Sequence, residues 1–90
     1  MTGKNILVVD DDKIILNSLC EFLSLEEFQT RGAESLKQAT AELQKQNYCL
    51  VITDINLPDG NGFELLDIIR RDYPQTVVIV ITGSMKSTPI

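Results

Sequence analysis

Five residues in this 90-residue chain are placed to do chemistry together: the run Asp10-Asp11-Asp12, the solitary Asp54 and Thr82. Each follows an apolar stretch: "ILVV" (Ile6–Val9), "CLVIT" (Cys49–Thr53) and "VVIVI" (Val77–Ile81). In a parallel α/β sheet, ligands bind outside the carboxyl ends of the strands. With these three strands as neighbours, Asp10, Asp11, Asp54 and Thr82 converge at one sheet edge. Two carboxylates ~4 Å apart repel by about 4 kcal/mol at an effective dielectric near 20. A domain has only about 5–15 kcal/mol of net stability, so such a cluster calls for a compensating cation. Mg²⁺ fits: it takes oxygen ligands, keeps several waters and uses one or two carboxylates plus a phosphate. A carboxylate beside it can act as nucleophile toward phosphorus and form an aspartyl-phosphate. The Thr82 hydroxyl can then donate to a phosphoryl oxygen.

A helix cap is the competing role for a strand-end acid. Asp12 reads as a cap, whereas Asp10 and Asp11 stay open between capping and metal ligation. Asp54 fits a cap poorly, because the next helix begins seven residues later, at Asn61. An EF-hand loop starting at Asp54 fails at its fifth, sixth and twelfth positions, where the chain has Pro58, Asp59 and Leu65. There is no Walker P-loop, and Asp59–Gly62 lacks the spacing of a dinucleotide fingerprint.

The elements that must position these residues alternate regularly. Ile6–Val9 reads as a strand buried on both faces. A helix over Asp12–Leu25 is expected to turn Ile15, Leu19, Phe22 and Leu23 inward. A weaker strand, Phe28–Arg31, precedes Gly32, and a helix over Glu34–Gln46 carries Leu36, Ala39 and Leu43 on one stripe. Cys49–Thr53 is a second buried strand and Asp54–Gly60 a loop. Asn61 with Glu64 three residues on resembles a capping box, opening a helix whose inward face is Phe63, Leu66 and Ile69. Pro74 ends it, and Val77–Ile81 is the last and most apolar strand. The order β-α-β-α-β-α-β predicts one α/β domain over residues 1–90, with a parallel sheet and helices on both faces.

Bulk properties bound the function. Net charge is -5 with no histidine, which argues against nucleic-acid binding by this segment and excludes every site that needs an imidazole. The hydrophobic fraction of 43% fits a globular chain rather than a disordered one. The longest uninterrupted apolar run, Val77–Ile81, is too short to cross a membrane. Cys20 and Cys49 are far apart and in no metal spacing, so both are expected as small buried hydrophobes in a reducing compartment. No membrane partner and a cytoplasmic location are the expectation.

Taken together, "ILVVDDD" (Ile6–Asp12), "LVITDINLPDGNGFELL" (Leu50–Leu66) and "VVIVITG" (Val77–Gly83) resemble the receiver domain of two-component response regulators. The resemblance covers residues 4–84, with three motifs in the family's order. It implies a flavodoxin-like, doubly wound fold with strand order 2-1-3-4. It implies Asp54 as phosphoacceptor, Asp11 as a direct Mg²⁺ ligand, Asp10 as a supporting ligand and the Asn56 backbone carbonyl as a further one. Pro58 and Gly62 would shape the loop, Thr82 would be the switch residue, and Gly83 would leave room for the phosphoryl group. A sensor histidine kinase would be the donor, and slow autodephosphorylation the most enzyme-like activity. A dedicated Asp-nucleophile phosphatase with a DxDx[TV] signature would want Asp at position 56, where this chain has Asn.

The sequence also departs from the family pattern. A full receiver continues with a helix, a fifth strand that ends in a Lys, and a fifth helix. Here the sequence stops just after the fourth strand, and Lys86 lies too close to Thr82 to sit on a fifth. The expected fold is therefore an incomplete receiver. Its fourth strand would be an edge, with each uncovered side chain forfeiting roughly 1.5–3 kcal/mol. The expectation that follows is a homo-oligomer through that edge or the uncovered sheet face. The alternative function is a receiver that no longer switches and acts as an oligomerisation or partner-binding module.

Overall fold

A computed structural model describes residues 4–81. Its elements in chain order are β1 (Asn5–Val9), α1 (Lys13–Leu25), β2 (Gln29–Ala33), α2 (Leu36–Lys45), β3 (Leu50–Asp54), β4 (Asn56–Leu57), β5 (Gly60–Asn61), α3 (Gly62–Asp72) and β6 (Val77–Ile81). The four long strands form one parallel sheet in the order β2-β1-β3-β6. This is the α/β architecture and the 2-1-3-4 arrangement expected from the sequence, with β6 as the fourth long strand.

The unbroken apolar run of β1 is explained by its position. Alternate residues point to opposite faces of a strand, and both faces of β1 are covered. Leu7 and Val9 join Val51, Ala33, Ala39, Leu43, Leu65 and Ile69 in one core beneath α2 and α3. Ile6 and Val8 join Leu16 in a second core beneath α1, which Leu19, Leu23, Phe28, Leu50 and Ile52 close. Each buried Leu, Ile or Val contributes about 1.5–3 kcal/mol. Truncating the fully buried Leu7 to Ala would cost about 2–5 kcal/mol.

Helix boundaries follow local capping. The Asp12 side chain accepts from the Ile14 and Ile15 N–H groups and opens α1. Ser35 accepts from the Gln38 N–H at α2, and Asn61 from the Glu64 N–H at α3. At the end of α1 the Glu27 and Phe28 N–H groups donate to the Ser24 and Leu23 carbonyls. This is a Schellman closure, and it places Glu27 at φ 72°.

Three expectations need correction. On α1 the buried residue is Leu16, while Phe22 is 59% exposed. Leu16, Leu19, Cys20 and Leu23 advance at the three- and four-residue steps that keep one helix face inward. On α3 the inward residues are Gly62, Leu65 and Ile69 rather than Phe63, Leu66 and Ile69, and Phe63 is exposed. A strict three-residue step drifts around a helix with 3.6 residues per turn. Cys49 is exposed rather than buried, because it precedes β3 at the sheet's rim, and Cys20 is half-buried. Burial pushes the Cys20 thiol pKa up.

Candidate metal and phosphoryl site

Adjacent strands assemble the acidic cluster. β1 and β3 run side by side with Val9 opposite Thr53, so Asp10 and Asp54 arrive at the same sheet edge. One carboxylate oxygen from each of Asp10, Asp11 and Asp54 lies within 4.8 Å of the other two. Asp10 and Asp54 are each 1% exposed, whereas Asp11 faces solvent. Two buried acids with a third open to water form a donor set of oxygens alone, the preference of a hard divalent cation such as Mg²⁺. The chemistry of the residues therefore fits the ion that the sequence implies.

The acidic triplet divides its work. Asp12 caps α1, and its own N–H donates to Asp10 Oδ1 at 2.9 Å. Asp10 thus holds the N-cap residue of α1 while its carboxylate stays in the cluster. The Asp10 N–H is itself tied to the Ala33 carbonyl at the end of β2.

The segment after Asp54, expected as a loop, contains a short β-hairpin. Asn56–Leu57 and Gly60–Asn61 pair antiparallel, with Pro58 and Asp59 forming the turn. The Leu-Pro-Asp-Gly string carries the signature of such a turn. The Ile55 N–H donates to the Ile81 carbonyl, and the Gly62 N–H returns to the Ile55 carbonyl at 2.7 Å. A Cβ on Gly62 would collide with the Asp54 carbonyl oxygen, so glycine is needed here for close backbone approach. The Thr53 hydroxyl donates to that same carbonyl at 3.0 Å.

The hairpin also reaches α2. Asp59 Oδ1 accepts from the Leu36 N–H at 2.7 Å, and Oδ2 from the Lys37 N–H at 3.0 Å. These bonds hold the Asp59 carboxyl below its usual pKa, the Leu36 bond most strongly. Sequence reasoning missed this residue's role. The turn was legible, but its partner lies 23 positions earlier.

Asn56 is exposed and stands on β4, opposite Asn61. β6 is registered so that Ile81 is opposite Asp54. Thr82, Gly83 and Lys86 lie outside the described residues. Among the described residues, clefts of about 330 and 370 Å³ open at the opposite sheet end, around Tyr48, Cys49 and Gln75, away from the carboxylates.

Comparison with known proteins identifies the family and the fold. A family model described as the response regulator receiver domain matches residues 6–89. The response regulator PilR of Pseudomonas aeruginosa is 37% identical over 92% of this chain, which spans 19% of that protein. The photosynthetic apparatus regulatory protein RegA of Rhodobacter capsulatus is 32% identical over 91% of the chain, which spans 45% of that protein. A CheY-like receiver domain from Methanospirillum hungatei superposes with TM-score 0.88 at 34% identity, over 91% of this chain and 66% of that one. TrrA of Thermotoga maritima, solved in complex with Mg²⁺-BeF, gives TM-score 0.84 at 36% identity, over 89% of this chain and 70% of that one. The chain thus spans less than half the length of these two curated relatives.

Proposed function

This chain belongs to the response regulator receiver domain family, and from that premise we propose that it accepts a phosphoryl group on Asp54 in two-component signalling. The donor is a phosphohistidine on a sensor histidine kinase. The observation that carries the reading is Asp54 itself, 1% exposed and within 4.8 Å of Asp10 and Asp11 at the sheet edge. A carboxylate oxygen of Asp54 attacks phosphorus. The new O–P bond forms as the donor's P–N bond breaks, and the electron pair leaves with the imidazole.

Asp10, Asp11, Asp54 and the Asn56 backbone carbonyl are the groups assigned to Mg²⁺. When bound, the ion neutralises charge on the phosphoryl oxygens. Asp11, the exposed member, is the direct ligand, while Asp10 is partly committed to the Asp12 N–H. Thr82 is assigned the hydrogen bond to a phosphoryl oxygen and the switch. Attack by water on phosphorus then releases phosphate slowly and regenerates Asp54. The cytoplasm is the compartment assigned, in keeping with two free cysteines.

The test is intact mass after incubation with Mg²⁺ and acetyl phosphate. One phosphoryl adduct on the wild type and none on Asp54→Asn is the expected result. A folded, Mg²⁺-binding wild type without an adduct would overturn it.

A second reading rests on β6. Val77 is 60% exposed and Ile79 46%, and β6 has no strand on its outer side among the described residues. Val77 and Ile79 stand on one sheet face, and an open edge invites pairing. On this reading the chain self-associates through that uncovered face or the β6 edge, independently of phosphorylation. Light scattering decides. An oligomer that persists in Asp54→Asn and dissociates in Ile79→Lys supports it, and a wild-type monomer at micromolar concentration removes it.

A further inference from the structure

The hairpin after Asp54 caps two different helices. Asn61 accepts from the Glu64 N–H at the start of α3. Two residues earlier, Asp59 accepts from the first two N–H groups of α2, at Leu36 and Lys37. The third N–H of α2, from Gln38, goes to Ser35 at 3.1 Å. The start of α2 is therefore satisfied partly by its own N-cap and partly by the segment that joins Asp54 to α3. The hairpin approaches α2 closely elsewhere too. A Cβ on Gly60 would lie 2.8 Å from the Leu36 side chain and 2.5 Å from Glu64 Oε1.

We propose that Asp59 is a positioning residue for the metal site: its carboxylate pins the β4–β5 hairpin to α2 and so fixes the Asn56 backbone relative to Asp54. The inference rests on the metal assignment under Proposed function. Asn56 opens β4 two residues after Asp54 and is held from three sides. Ile55 is bonded to Ile81, Gly62 to Ile55, and the hairpin turn to α2. The first two restraints act at the ends of the hairpin. Asp59 holds its tip, which would otherwise rest on a ladder of two residues per strand. Such a short pair has little stability alone. A donor carbonyl must be held in place to be an effective ligand, and groups outside the ligand set that do this typically change metal affinity by 10–100-fold.

The test compares Asp59→Ala, Asp59→Asn and Ser35→Ala by calorimetric Mg²⁺ titration and amide hydrogen exchange. Ser35→Ala weakens the α2 cap without touching the hairpin, so it isolates helix stability from positioning. The expected result is a Mg²⁺ affinity about 10-fold weaker in Asp59→Ala, a smaller loss in Asp59→Asn, which keeps one acceptor oxygen, and no loss in Ser35→Ala. Exchange at Leu57 and Gly62 should quicken in the Asp59 variants alone. Wild-type affinity in Asp59→Ala, or equal losses in Asp59→Ala and Ser35→Ala, overturns the inference while leaving the metal reading intact. A wild type that binds no Mg²⁺ sinks the metal reading and this inference with it. Asp59→Asn serves where Asp59→Ala fails to fold.

Discussion

The Gly62 α-carbon sits against the backbone carbonyl of Asp54, so close that a methyl group at position 62 has no room. The start of α3 and the end of β3 are thereby locked together around the candidate phosphoacceptor. Gly62→Ala should force the two backbones apart. Overpacking of this kind costs about 1–3 kcal/mol, and the strain falls on Asp54. The expected outcome is a lower urea midpoint with an unchanged slope, together with slower adduct formation from acetyl phosphate. An unchanged midpoint would show that the contact relaxes freely.

The clustering of Asp10, Asp11 and Asp54 makes a prediction about the metal-free protein. With oxygens within 4.8 Å of one another, each pair of charged carboxylates repels by about 3.5 kcal/mol or more at an effective dielectric of 20. Asp54→Asn should therefore be more stable than the wild type without metal, by about 1–3 kcal/mol. Mg²⁺ should close that gap, since a ligand at 100 times its Kd adds about 2.7 kcal/mol to the form that binds it. Thermal melts with Mg²⁺ and with chelator check both halves. A variant less stable than the wild type in chelator would mean that other contacts of Asp54 outweigh the repulsion.

The legible parts of this molecule were those written in local patterns. The β1 run Ile6–Val9 and the caps at Asp12 and Asn61 depend on residues within a few positions of one another. Alternation of strands and helices predicts the parallel sheet, but the β1–β3 adjacency that brings Asp10 and Asp54 together was implied only by the resemblance. The helix faces were misread where apolar residues exceed the inward stripe: α1 has Ile15, Leu16, Leu19, Phe22 and Leu23, and only packing decides that Leu16 goes in and Phe22 out. The bond from Leu36 to Asp59 joins residues 23 apart, and no periodicity encodes it.

The same bond gives a pH dependence. Hydrogen bonds from Leu36 and then Lys37 lower the Asp59 pKa below its ordinary value of 3.8. A carboxylate depressed in the folded state adds stability that is fully present above its unfolded pKa and is lost as pH falls through the folded one. Wild-type stability should thus fall more steeply than that of Asp59→Asn from about pH 4.5 downward, the difference between them becoming constant once the carboxyl is protonated in both states. Urea midpoints along a pH series would test this, and parallel curves would mean that the carboxylate gains nothing from its two donors.

The turn between α1 and β2 offers a stabilising change away from the acidic cluster. Glu27 is the one non-glycine with positive φ among the described residues, at 72°. A left-handed conformation costs an L-residue roughly 1–2 kcal/mol, and the Schellman closure imposes it through the Glu27 and Phe28 N–H bonds. Glycine adopts that conformation without strain, but loses about 0.5–1 kcal/mol more in backbone entropy on folding. The closure itself is made by main-chain groups and survives the change. Glu27→Gly should therefore gain about 0.5–1 kcal/mol, read as a higher urea midpoint. The Asp54 adduct should be unaffected, because Glu27 lies in the turn that enters β2, whereas the carboxylates stand where β1 and β3 end. A lower midpoint would mean that the Glu27 side chain contributes more than the strain it imposes.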